Sequence, residues 1–109
     1  MPRRWLYHAL SARSDSGADP YAPASLQAEG FVHCSFAPTL SESIALYFAG
    51  CDDVEVWRID PHALGIDVAD TPRGPMPHVR GPIPRGAIRA RWSLADLPTQ
   101  LEDEVDGAL

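Results

Sequence analysis

Three histidines sit in short segments that bear on their chemistry: Tyr7-His8, Gly30-Phe31-Val32-His33-Cys34-Ser35 and Pro77-His78-Val79-Arg80-Gly81-Pro82. Imidazole titrates near neutrality and can donate, accept or move a proton. A fourth, His62, falls in an Asp-Pro-His turn and reads as solvated. His8 and His33 share strand faces with apolar residues, where an imidazole needs a hydrogen-bond partner. Taken singly, each reads as a satisfied core histidine. Taken together, His8, His33 and His78 are the catalytic candidates, and they are expected to face one pocket.

Arginine is the second reactive set. All nine basic residues are arginine. Five of them lie between Arg73 and Arg91 with no acid among them, whereas 94–109 holds five acids and no base. The guanidinium fork matches phosphate and carboxylate. In an extended segment Arg80 would point the same way as His78, beside Gly81, and the two could hold an anion near the backbone. Arg80 and Arg85, with Tyr21 and Ser35, are the candidate substrate contacts. Arg89 and Arg91 read as a solvated strand face. The chain's net charge of −6 and the lack of interleaved exposed aromatics oppose general nucleic-acid binding. A single RNA phosphate stays within the chemistry of the arginine segment.

Other chemistries find little support. No metal is expected: there is no C-x-x-C, no H-E-x-x-H and no histidine run. Cys34 points away from His33 in an alternating strand, which also removes a Cys–His nucleophile. Cys51 lies beside two aspartates, which disfavour a thiolate. No G-x-S-x-G elbow, P-loop or dinucleotide fingerprint is present.

These side chains need a frame. With 109 residues, 45% apolar and 22% charged, the chain suits one globular domain. No apolar run approaches the ~18 residues of a membrane helix. The first residues carry an apolar stretch too short for a signal-peptide core of ~7–15 residues. A cytoplasmic protein with two reduced thiols is expected, a monomer or weak dimer with no membrane partner.

Eleven prolines and eight glycines favour short elements. Alternation predicts strands over Trp5–Leu10, Phe31–Ser35, Val54–Ile59, Ile66–Ala69 and Ile88–Leu94. Ser25–Glu29 reads as one helical turn. The main helix is Thr39–Ala49, with a capping-box spacing of Thr39 and Glu42 and an apolar stripe of Leu40, Ile44, Tyr47 and Phe48. Thr71–Pro84 carries five prolines, so an ordered loop or a sheet edge is expected there. The order of elements predicts α+β: a compact, split, mostly antiparallel or mixed sheet with one main helix. Residues 1–94 form the predicted globular domain, and 95–109 an acidic tail that is partly disordered.

The order Tyr7-His8, then Ser25-Leu26 with Glu29-Gly30-Phe31-Val32-His33-Cys34-Ser35, then Pro77-His78-Val79-Arg80-Gly81-Pro82-Ile83 resembles domain-of-unknown-function family 952, a family of small bacterial proteins. The likeness covers about residues 5–94. That family is similar at superfamily level to ADP-ribosyltransferases, including the RNA 2′-phosphotransferase branch. The resemblance implies a split-sheet α+β fold with a nicotinamide dinucleotide cleft, and NAD as a possible substrate. It implies that His8 holds the nicotinamide-side ribose or amide, that His33 lies beside it, and that His78 lines the same cleft. The family pattern has an aromatic where Arg80 stands. It has a glutamate upstream of the third motif, for which Asp70 is the nearest candidate. The superfamily's catalytic glutamate has no evident counterpart, which sets the chain apart from ordinary protein ADP-ribosylation.

Three functions follow. The first is a transferase-type enzyme acting on NAD or a nucleotide-like substrate through the histidine-lined site. The second is a non-catalytic module for a small anion or a partner. The third is an NAD-independent enzyme on a small metabolite with a histidine general base.

Overall fold

The computed structural model describes residues 3–105. Six strands and two helices follow the order β1 (Leu6–Ser11), α1 (Ala24–Glu29), β2 (Val32–His33), α2 (Leu40–Tyr47), β3 (Val54–Ile59), β4 (Ile66–Thr71), β5 (Gly74–Val79) and β6 (Ile88–Ser93). They build two three-stranded sheets of order β1-β3-β6 and β2-β5-β4. Every strand pair is antiparallel. The α+β, split-sheet expectation holds. The sheets meet where Tyr7 and Ser35 exchange backbone hydrogen bonds of 2.8 and 2.7 Å.

Alternation along β1 works on both faces. Leu6 and Leu10 join Trp57, Ile59, Val32, Val79 and Ile83 in a core between the sheets. Trp5 and Tyr7 face the other way, into a second core with Leu40, Val56 and Val105. Both sides of the sheet are therefore apolar, and full burial of each large side chain contributes about 1.5–3 kcal/mol.

Along β6 the pattern breaks. Arg58 pairs with Ala90 but Ile59 with Ile88, so Arg89 is an extra residue in the strand. This bulge turns Ile88 into the first core while Trp92 packs on the second. Strict alternation over Ile88–Leu94 predicts Ile88, Ala90, Trp92 and Leu94 on one face.

The proline-rich segment is the larger correction, because β5 is the central strand of its sheet rather than a loop or an edge. The amide of Arg80 donates to Gly65 O at 2.8 Å, while Pro77 O accepts from Cys34 N at 3.2 Å. Residues of one parity thus bond to β4, and Pro75 and Pro77 turn the other way. There β2 pairs only Val32 and His33 with β5, so the missing proline donors cost few ladder bonds.

The main helix is shorter than Thr39–Ala49. A 3₁₀ turn over Ala37–Thr39 precedes it, and Thr39 makes no side-chain cap. Its hydroxyl reaches Phe36 O and Met76 Sδ instead, so the capping box does not form. Leu40 is buried, but Tyr47 is 70% exposed, so the expected apolar stripe is incomplete. The acidic tail also departs from expectation as far as Val105. Trp5 N donates to Asp103 O at 2.7 Å, Val105 N to Arg3 O at 2.9 Å, and Val105 is buried. One valine and Leu101 anchor a strap that composition alone marks as polar. The rest of the tail, 106–109, lies outside the described residues. Among the described residues no helix is long and apolar enough to cross a membrane.

Candidate functional site

Where β1 and β2 separate beyond the Tyr7–Ser35 bridge, a cleft of about 590 Å³ opens, closed by α2 on one side and the β4–β5 hairpin on another. His8, His33 and His78 all line it. Their surroundings differ sharply.

His8 is 6% exposed and engaged at both ring nitrogens. Nδ1 lies 2.7 Å from His33 O and Nε2 lies 2.7 Å from the Tyr21 hydroxyl. A carbonyl only accepts, so Nδ1 carries the proton and Nε2 accepts from Tyr21. Burial pulls the His8 pKa down to about 4, so the ring is neutral at pH 7. Burial also raises the Tyr21 phenol, keeping it a donor.

His33 and His78 form a cross-strand pair on the outer face of their sheet, with Asp67 opposite His78 on β4. The two rings lie 5.7 Å apart, and Phe31 stacks on His78 at 3.9 Å. Partial burial, then the neighbouring His33, lowers the His78 pKa. His33 has a side chain that is 55% exposed, and its Nε2 is paired with Glu29 at 2.5 Å. A carboxylate accepts, so His33 donates from Nε2, and in the neutral tautomer the unprotonated nitrogen is Nδ1. Glu29 is brought there by α1, which ends at Gly30 in the left-handed region (φ 86°), the turn that starts β2.

The arginine segment does not act as one patch. Arg80 folds over Gly65 and pairs with Asp67 at 3.0 Å, outside the cleft lining. Arg85 makes a two-pronged pair with Asp15 at 3.1 and 2.6 Å and donates to Ala18 O. It pins the 15–20 loop, and it holds the Asp15 carboxyl down at about 2. Arg89 reaches Asp60, and Arg91 lies over Trp57. Tyr21 is buried in the core behind His8. Of the four expected substrate contacts only Ser35 lines the cleft. Asp70 does not line it either.

Two charged lining residues, Glu29 and Arg73, are not among the candidates that the sequence offers. Glu29 was visible inside the motif, four residues before His33, but a one-turn helix with a glycine stop gives no hint of which way it points. Arg73 sits in the β4–β5 turn. Its NH1 donates to Ser43 Oγ at 3.1 Å, and its Nε lies 3.5 Å from Glu42. Only the hairpin brings Arg73 over α2, and an ordered loop or a sheet edge, as the prolines of Thr71–Pro84 predict, gives no such reach. Cys34 is buried, and burial pushes its thiol up to about 12, so it is inert as a nucleophile. Among the described residues no three His, Cys, Asp or Glu side chains cluster as metal ligands would.

Chemically, the arrangement offers a carboxylate–imidazole pair, a second imidazole, and one guanidinium across a cleft from them. A carboxylate behind an imidazole fixes its tautomer and stabilises the cation formed when the ring takes a proton.

The crystal structure of protein CC0527 from Caulobacter crescentus superposes with a TM-score of 0.75 at 20% identity, covering 92% of this chain and 93% of that one. A double-mutant form of the same protein gives 0.74 at 19% identity with the same coverage. At this identity the likeness shows the fold. No curated protein matches the chain. The family model described as Protein of unknown function (DUF952) matches residues 8–91, a span that takes in His8, Glu29, His33, Arg73 and His78. The chain belongs to the DUF952 family.

Proposed function

We propose that the cleft binds a small anionic, nucleotide-like molecule, NAD among the candidates, and that the Glu29–His33 pair does acid–base work on it. The observation that carries this reading is the pairing of an exposed His33 with Glu29 inside a cleft that also holds His78 and Arg73. Breaking a nicotinamide–ribose bond or moving a phosphoryl group requires an anchored anion and a placed proton acceptor or donor. His33 Nδ1 is the acceptor, Glu29 orients it, and His78 is the second proton-exchanging group. His8 takes a positioning role, since both its nitrogens are engaged. An ADP-ribosyltransferase-like relationship belongs to this reading, supported by the split sheets with a cleft at their junction. The free thiols of Cys34 and Cys51 suit the cytoplasm.

A second reading, a binding module without turnover, is favoured by the engagement of His8, which leaves two of the three histidines for chemistry. Thermal melts and product assays with NAD and ADP-ribose separate the two. Stabilisation with product, both lost in H33A, supports the enzyme. Stabilisation without product after long incubation supports the module. No stabilisation by either compound contradicts both.

A further inference from the structure

The cleft has a second pole, at the end walled by α2 and the β4–β5 turn. Ser35 and Ser43 are both buried there, at 5% and 8% exposure, and their hydroxyls share one hydrogen bond of 3.1 Å. Arg73 NH1 donates to Ser43 Oγ from the other side, also at 3.1 Å. Two hydroxyls carry two protons, and the bond between them uses one. Whichever serine donates, one O–H of the pair is left without an acceptor among the described residues, and both line the cleft. A buried donor without an acceptor is costly. A hydroxyl beside a guanidinium, with lone pairs already taken, is complementary to a negative oxygen.

Arg73 gathers a further hydroxyl, that of Tyr47. Ser43 and Tyr47 are four residues apart on one face of α2. The Tyr47 hydroxyl lies 3.4 Å from Arg73 NH2. The hairpin and two turns of α2 thus bring one guanidinium and two hydroxyls to the same end of the cleft, a set that suits an anion with several oxygens. A competitor is also in place. Glu42 sits 3.5 Å from Arg73 Nε on a side chain that is 55% exposed, a contact that solvent weakens.

We propose that this pole is a phosphate subsite. Arg73 is its cation, the unspent Ser35–Ser43 proton its buried donor, and Glu42 the carboxylate that an incoming phosphate displaces. The proposal rests on the reading that the cleft takes a nucleotide-like molecule, and it fixes which end holds the phosphate. The His33–Glu29 pair then faces the sugar or base.

Calorimetric titration of the full chain with adenosine, adenosine monophosphate and inorganic phosphate tests it. The monophosphate binds about tenfold or more tighter than adenosine, as expected for a charge-assisted contact, and R73Q and S43A remove that margin. Inorganic phosphate competes with the monophosphate and not with adenosine. E42Q leaves Arg73 in place and tightens the monophosphate about threefold, a gain that a merely structural Arg73 does not produce. This variant keeps the test alive if R73Q fails to fold. Equal binding of adenosine and the monophosphate, or no gain in E42Q, overturns the subsite while leaving the cleft reading standing. Binding of none of the three probes, with NAD also inert, overturns both.

Discussion

His8 donates its Nδ1 proton to the main-chain carbonyl of His33 across 2.7 Å. One histidine, buried and neutral, holds the strand that presents the other to the cleft. Tyr21 completes the arrangement from behind by donating to His8 Nε2. The two residues look alike in the sequence and divide the work between them, one fixing backbone and one facing solvent.

A pH dependence follows from this division. The His8 pKa is about 4 in the fold and 6.5 as an ordinary histidine. The unfolded chain therefore takes up a proton between these values and the folded chain does not. Stability is fully present above 6.5, falls as pH drops towards 4, and loses on the order of 3 kcal/mol from this group. Urea melts at pH 7 and pH 4 measure the loss. H8Q removes the titrating group, so the slope between those pH values flattens by that amount.

Arg85 is expected to matter for stability and not for ligand binding. R85M removes both prongs on Asp15 and the bond to Ala18 O, which costs roughly 1–3 kcal/mol for hydrogen bonds to a charged group. In the wild type, Asp15 titrates near 2 against an ordinary 3.8. Its contribution is present above 3.8 and lost as pH falls through 2. Denaturation midpoints of R85M and wild type, read beside their NAD affinities, check both halves. An affinity that drops with R85M would return Arg85 to the site.

The C-terminal strap is structural through Val105. V105A removes buried apolar volume from the core of Trp5, Tyr7 and Leu40 and is expected to cost about 1–3 kcal/mol. Deleting 101–109 also removes the Tyr7 hydroxyl's bond to Glu102 O at 2.6 Å and the Arg4–Asp103 pair. A chemical-denaturation midpoint unchanged by either alteration would mean that the strap is detached in solution.

The legible parts of this fold were short runs bounded by turn residues. β1, β3 and β4 fell close to their expected places because β-branched and aromatic residues concentrate there between Gly, Pro, Asp and Ser, and the three histidines met in one cleft. Helix α2 was found but lengthened, since Tyr47 and Phe48 continue an apolar stripe that the chain does not bury in full. β5 was missed because its prolines are judged by composition, whereas their cost depends on which neighbour each missing donor faces. Arg73 was missed with it, and Arg80 was favoured in its place because adjacency to His78 is visible in sequence and the reach of a hairpin is not. The tail's anchors, Leu101 and Val105, are isolated apolar residues flanking three acids and leave no strand-like alternation.

The cleft itself is tested most directly by NMR titration of the isotope-labelled chain with NAD and ADP-ribose, following the imidazole signals of His33 and His78 and the Nε–H of Arg73. The expected result is saturable shifts at all three groups, with His8 and Tyr21 far less affected, and loss of the shifts in H33A. Unmoved His33, His78 and Arg73 signals at saturating NAD, ADP-ribose and adenosine monophosphate would contradict a nucleotide-binding cleft.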